Sequence, residues 1–177
     1  MLPRNDGYLP WFACYVKPRH EKHVASILAD KGYECFVPTY LKRSRKHKCE
    51  LPLFPGYVFS RLDPTATLGV TSTPGVFFIV GNRRGPESIS GDEIEAIRRM
   101  ISGGLCPRPW TYLAPGEPIY IAEGPLRGVI GTVVNSSSER WLVVSVQLLR
   151  RSVAVKLDQA SLSSGAIEPR IRSSSAA

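Results

Sequence analysis

The sequence predicts an α+β domain followed by a small all-β domain. Three observations carry that reading. Up to about residue 103, strand-like apolar runs alternate with two segments of helical period. Residues 104–114 hold Pro107 and Pro109 and show no period, which is the texture of a linker. Beyond Pro115-Gly116 the chain offers only short β-rich runs separated by tight turns.

The elements follow in order. Residues 1–9 form a flexible tail. Residues 11–16 are apolar and aromatic and read as a strand. Pro18 suits the opening of a helix, where its missing N–H is no loss. Val24, Ile27, Leu28 and Lys31 continue at helical spacing, and Gly32 ends the run. Residues 34–40 read as extended, with Pro38 at an edge or bulge. Residues 41–49 form a basic hairpin tip. A strand spans 57–62, and Asp63-Pro64 opens a turn into a short polar segment. Pro74-Gly75 turns into the apolar run 76–80, expected as a buried strand. A loop at 81–86 leads to Ser90 and Glu93, which have capping-box spacing before Ile94, Ile97 and Ile101. Gly103-Gly104 stops that helix. Strands of this order with helices on one face predict a ferredoxin-like α+β sandwich over 10–103.

In the second domain, over 115–163, strands are expected at 119–121, 129–134, 141–149 and 152–157. Short strands with tight turns and no helical period predict a small barrel. Gly124, Gly128 and Gly131 are structural residues, set by turn and bulge geometry. The β-branched runs at 129–134 and 143–146 favour strands over helix. The Ser- and Ala-rich stretch 164–177 reads as disordered.

The bulk numbers narrow the function. The chain has 177 residues, 43% of them hydrophobic, and a formal net charge of +8. That charge points to a polyanionic partner, with nucleic acid first. No apolar stretch reaches the roughly 18 residues of a membrane span, and the N-terminus lacks a signal-peptide core, so a cytoplasmic protein is expected. The four cysteines form no C-x-x-C pair, and His47 near Cys49 finds no second pair at matching spacing, so no metal is expected. Cys14 and Cys35 read as buried small hydrophobes. With three histidines, no nucleophile motif and no phosphate-binding glycine loop, neither enzyme nor cofactor is expected.

The most informative run is Pro52-Leu53-Phe54-Pro55-Gly56-Tyr57-Val58-Phe59. Pro55 fixes its own φ and biases Phe54 toward extended geometry. Gly56 permits a tight turn. Tyr57 and Phe59 then share one face of a strand. By the residues alone, both rings fit a core as well as a docking surface.

At these residues the sequence resembles the NusG family of transcription elongation factors. The link Lys17-Pro18-Arg19-His20-Glu21-Lys22 after the first strand is similar to the family's entry into its first helix. Pro55-Gly56-Tyr57-Val58 and Thr73-Pro74-Gly75-Val76 resemble its two recognisable segments. Gly124 through Val133 resembles the turn-and-glycine pattern of a KOW module, a five-stranded SH3-like barrel. The resemblance covers about residues 10–163. Pro52-Leu53-Phe54 and residues 147–155 look more like the specialised RfaH-type paralogues and the antiterminators of polysaccharide operons.

The resemblance implies a monomeric factor that suppresses pausing or termination, with a housekeeping role as the alternative. It implies docking on the β′ clamp helices of RNA polymerase through Tyr57 and Phe59, with Phe54 as pocket wall or core. It implies contact of the tip residues Lys42, Arg43, Arg45, Lys46 and Lys48 with upstream DNA. Lys17, Arg19, His20 and His23 would read the displaced non-template strand. They supply cations for phosphate and flat groups for bases. Residues 63–73 match the region that meets the β gate loop, but Thr65-Ala66-Thr67-Leu68 lacks the paralogues' His-Thr-Thr pattern. Leu126, Arg127, Leu148 and Leu149 are possible contacts of the barrel with a small-subunit ribosomal protein or Rho. An RNA-binding KOW protein of the ribosome is the rival reading.

Overall fold

A computed structural model describes residues 9–43, 48–114, 118–124, 126–136, 139–157 and 167–169. The chain groups into two compact units. One is Met1–Thr39 with Phe54–Gly91; the other is Tyr40–Leu53 with Asp92–Ala177. The second unit takes in the basic hairpin and the helix that sequence reading assigns to the first domain.

The first unit is built on a four-stranded sheet. Its strands are β1 (Trp11–Val16), β2 (Cys35–Phe36), β5 (Tyr57–Arg61) and β6 (Val76–Ile79), in the order β2-β5-β1-β6. β1 runs antiparallel to both β5 and β6. Alternation along β1 sends Phe12, Cys14 and Val16 to one face. There they pack with Val24 and Leu28 of helix α1 (Glu21–Asp30) and with Val58, Leu62 and Val70. This is the α+β layer the sequence predicts.

Two local readings change. The helix begins at Glu21 rather than at Pro18, because Arg19 takes a φ of 67° that no right-handed helix accommodates. The polar segment after Asp63-Pro64 contains one helical turn, α2 (Leu68–Thr71). It is too short to show a period. Its footing is tertiary: Val70 is buried, and Lys31 Nζ donates to Gly69 O at 3.0 Å and to Thr73 Oγ1 at 2.7 Å.

The second unit contains a paired hairpin, β3 (Thr39–Arg43) and β4 (Lys48–Pro52), and helix α3 (Gly91–Ser102). In α3, Ile94, Ala96, Ile97 and Met100 are buried. Arg99 Nη1 donates to Arg127 O at 3.1 Å. Burial pushes the Glu93 carboxyl up, partly offset by a hydrogen bond from the Gln147 backbone.

The main sheet of this unit has six strands rather than five. β10 (Ile119–Ile121), β11 (Ile130–Ser136), β12 (Glu139–Val146) and β13 (Arg151–Leu157) are joined by β9 (Arg108–Trp110) and β14 (Ile167–Pro169). The order is β14-β10-β11-β12-β13-β9. β9 lies inside the stretch read as linker, and β14 inside the stretch read as disordered. Pro107 and Pro109 hide β9 from sequence reading, yet an edge strand tolerates proline. Its anchors are side chains. The Arg108 guanidinium stands 3.7 Å over the Trp141 ring, and the Trp110 and Trp141 rings lie 5.1 Å apart. Leu113 N–H donates to Ser152 Oγ at 3.1 Å, and Ser145 Oγ donates to Leu113 O at 2.8 Å. Trp141, Val143 and Ala154 are thereby buried on one face of the sheet, while Leu142, Val144, Val153 and Val155 are buried on the other. The run 141–144 reads as continuously apolar because both faces are covered.

Candidate functional site: an aromatic edge beside a cationic helix start

Phe54, Pro55, Gly56 and Tyr57 form a tight turn, closed by Tyr57 N–H donating to Phe54 O at 3.1 Å. Pro55 supplies the φ of the second position. Gly56 supplies a φ of 83° at the third, as a type II turn requires. A side chain on Gly56 would also crowd Tyr15, whose Cε2 lies 3.2 Å from where its Cβ would sit.

The two strand rings then part ways. Phe59 is fully buried, and Phe54 packs against it edge to face at 5.3 Å while only 1% exposed. Phe59, expected to meet the polymerase, is therefore core here, filling space under the sheet beside Phe36, and Phe54, expected as pocket wall or core, is core with it. Tyr57 sits at the open end of the same face, half-buried, with its ring 5.4 Å from Tyr15 directly across the ladder.

Tyr15 gathers two more rings. Phe77 lies 5.7 Å and Phe78 5.1 Å from it. They are 58% and 52% exposed, not the buried strand that their apolar run predicts. The reason is a register break: Tyr15 faces Phe78 and Val16 faces Val76, leaving Phe77 as an extra residue. Such a bulge brings consecutive side chains to the same neighbour. Phe77, Phe78 and Tyr15 are the residues that sequence reading missed. The available signal was the adjacent Phe pair. Neighbouring residues on a strand face opposite ways, so a core on one face cannot take both.

The cations begin two residues beyond Tyr15. Lys17 N–H donates to Gly75 O at 2.8 Å, which ties the end of β1 to the start of β6. Lys17, Arg19 and His23 are exposed and His20 is half-buried, with Nδ1 3.1 Å from Pro18 O. These four are brought together at the entry to α1. In the hairpin, Lys42 and Lys48 are exposed and the backbone of Arg43 lies in β3. Arg45 and Lys46 lie outside the described residues.

Elsewhere in the first unit, Asp63 accepts from Thr65 Oγ1 at 2.7 Å and Thr65 N–H at 2.8 Å, bonds that hold its carboxyl below the usual range. Leu68 nearby is 78% exposed. Burial pushes the Cys14 thiol up to about 12, with Cys35 adding to the effect. Burial also raises Cys35, although its hydrogen bond with Ser60 opposes the change. Among the described residues, no group of three His, Cys, Asp or Glu is placed to hold a metal ion. No helix among them is long and apolar enough to cross a membrane.

In the second unit, Gly124 and Gly128 take φ of 80° and 85°. A Cβ on Gly131 would lie 2.7 Å from Val143 O across the ladder. Of the four residues expected to meet a partner, Leu126 and Leu149 are buried. Only Arg127, exposed, and Leu148, half-buried, offer side chains there.

Half-exposed rings next to exposed cations form a surface of the kind that binds other macromolecules. The comparisons say which kind. Residues 9–98 match the family model described as transcription termination factor NusG. The transcription termination/antitermination protein NusG of Pseudomonas aeruginosa is 30% identical over 166 residues, covering 84% of this chain and 94% of that protein. Its namesake in Escherichia coli K12 is 36% identical over 135 residues, covering 71% and 74%. A solved structure of Thermotoga maritima NusG, described for its domain interaction, aligns with a TM-score of 0.53 at 19% identity, covering 92% and 97%. That likeness shows the fold. The chain belongs to the NusG family, whose members are transcription factors rather than enzymes.

Proposed function

We propose that this chain is a transcription elongation and antitermination factor that binds RNA polymerase. The observation that carries the proposal is the exposed aromatic edge of Tyr15, Tyr57, Phe77 and Phe78. Aromatic rings bury large area with few rotamers to freeze, which suits them to anchor an interface. Factors of the NusG family bind RNA polymerase. The β′ clamp helices are the surface we assign to this edge, and the β gate loop is the one we assign to residues 63–73, where Leu68 is exposed.

The cations Lys17, Arg19, His20 and His23 would meet the non-template strand. The hairpin residues Lys42, Arg43, Arg45, Lys46 and Lys48 would add sequence-independent phosphate contacts. The domain after the 104–114 segment would recruit a small-subunit ribosomal protein or Rho, with Arg127 and Leu148 as its available contacts. The factor would act in the cytoplasm as a monomer, on specific operons. Holding the clamp closed would disfavour the paused state, a population shift that requires tighter binding to the active conformation.

Titration of core RNA polymerase tests the edge. Phe78→Ala and Tyr57→Ala should each weaken binding by about 1–3 kcal/mol. Phe78→Ala should leave thermal stability nearly unchanged, because its ring is half exposed. Unchanged affinity in both variants would sink the docking edge. Prolonged pausing in transcription assays with added factor would reverse the functional assignment.

A further inference from the structure

Glu21 is a buried acidic residue in the first turn of α1, only 5% exposed. Nothing in the polymerase or nucleic-acid reading uses it. Its Oε1 accepts a hydrogen bond from the Gly56 backbone N–H at 2.8 Å. The other polar atom of that peptide residue is tied as well: Gly56 O accepts from Val16 N–H at 2.9 Å. Gly56 is therefore clamped between the start of α1 and the end of β1, at the corner where the chain turns into Tyr57.

We infer that Glu21 is the positioning residue of the docking edge. The inference rests on the docking reading above. A type II turn leaves the N–H of its third residue without a partner inside the turn. Buried, that N–H needs an acceptor, and Gly56 is a buried residue. Glu21 supplies the acceptor from a helix rather than from a loop, so the corner is held by a rigid element. The orientation of Tyr57, stacked on Tyr15 and through it on Phe77 and Phe78, depends on that corner. Glu21 also sits between His20 and His23 in sequence, so the helix turn that presents the cations is the one that fixes the aromatic edge.

The test compares Glu21→Ala, Glu21→Gln and wild-type full-length chain for affinity to core RNA polymerase. The exchange rate of the Gly56 amide proton is followed by NMR in the same samples. Glutamine keeps an acceptor oxygen at the same reach, so it should bind within about twofold of wild type and keep the amide protected. Alanine should expose that amide and weaken binding about tenfold. Leu28→Ala serves as control: it loosens the core two turns along α1 from Glu21, outside every segment assigned to a partner, and should bind as wild type at a comparable loss of melting temperature. Wild-type affinity in Glu21→Ala would overturn the inference. So would an equal loss of affinity in the matched Leu28→Ala variant, or failure of glutamine to restore binding. A wild-type chain that does not bind polymerase would instead overturn the docking reading itself.

Discussion

Arg19 carries a φ of 67° with its side chain exposed. Left-handed geometry costs an L-residue roughly 1–2 kcal/mol, and glycine would occupy it without that cost. Part of the gain would be lost to glycine's greater freedom in the unfolded chain. Arg19→Gly should therefore stabilise the protein by about 0.5–1 kcal/mol in denaturant titrations. The same change should weaken binding to single-stranded DNA if the cation is used. Loss of stability would show that Arg19 is held by contacts rather than strained. Cys14 makes a second residue-scale prediction. Its thiol is held neutral by burial, at about 12 against an ordinary 9.0. The stability it contributes is fully present below pH 9.0 and is lost as pH rises toward about 12, since the unfolded thiol ionises first. At pH 8, thiol reagents should label the exposed Cys49 and Cys106 at once and Cys14 only on unfolding. Prompt labelling of Cys14 would contradict its burial.

Among the elements, β9 depends most on its side chains. Three register pairs with β13 give it little backbone anchorage, and Pro109 cannot donate. Stacking of Trp110 and Arg108 on Trp141 supplies the rest. Trp110→Ala should destabilise the second unit by about 1–3 kcal/mol, less than a fully buried tryptophan, because its ring is half-buried. Tryptophan fluorescence during denaturation would register the loss. A wild-type midpoint would make β9 a passive linker after all. β6 is the opposite case. Its bulge spends an apolar run on the surface, which is unfavourable for solubility and is the kind of patch that marks an interaction site.

For the whole molecule, a net charge of +8 would give binding to nucleic acid a strong salt dependence. Replacing Lys42, Arg43, Arg45, Lys46 and Lys48 by glutamine should flatten the dependence of log affinity on log salt by about 0.7–0.9 per phosphate contact removed. An unchanged slope would place the nucleic-acid contact elsewhere, with the α1 cations first in line. Affinity for core polymerase at the aromatic edge should change far less, since that contact is apolar.

Much of this was legible in the chain itself. The limits of β1, the stop at Gly32, the α3 face of Ile94 and Ile97, and the hairpin of β12 with β13 all follow from period and turn chemistry, which are local properties. So does the type II corner at Pro55-Gly56. What the sequence could not decide was which rings the fold covers. Phe54 and Phe59 are core while Phe77 and Phe78 are exposed, although all four have the same chemistry. That sorting rests on a bulge in β6 and on what packs against each face of the sheet, and neither leaves a periodic trace. The partnership of Glu21 with Gly56 spans 35 residues, and β9 with β13 spans more than 40. Sequence alone determined the main turns and which of the longer segments extend or coil, because each such choice is made within a few residues. Only the tertiary structure decided which side chains face outward, because burial is set by neighbours brought in from far along the chain.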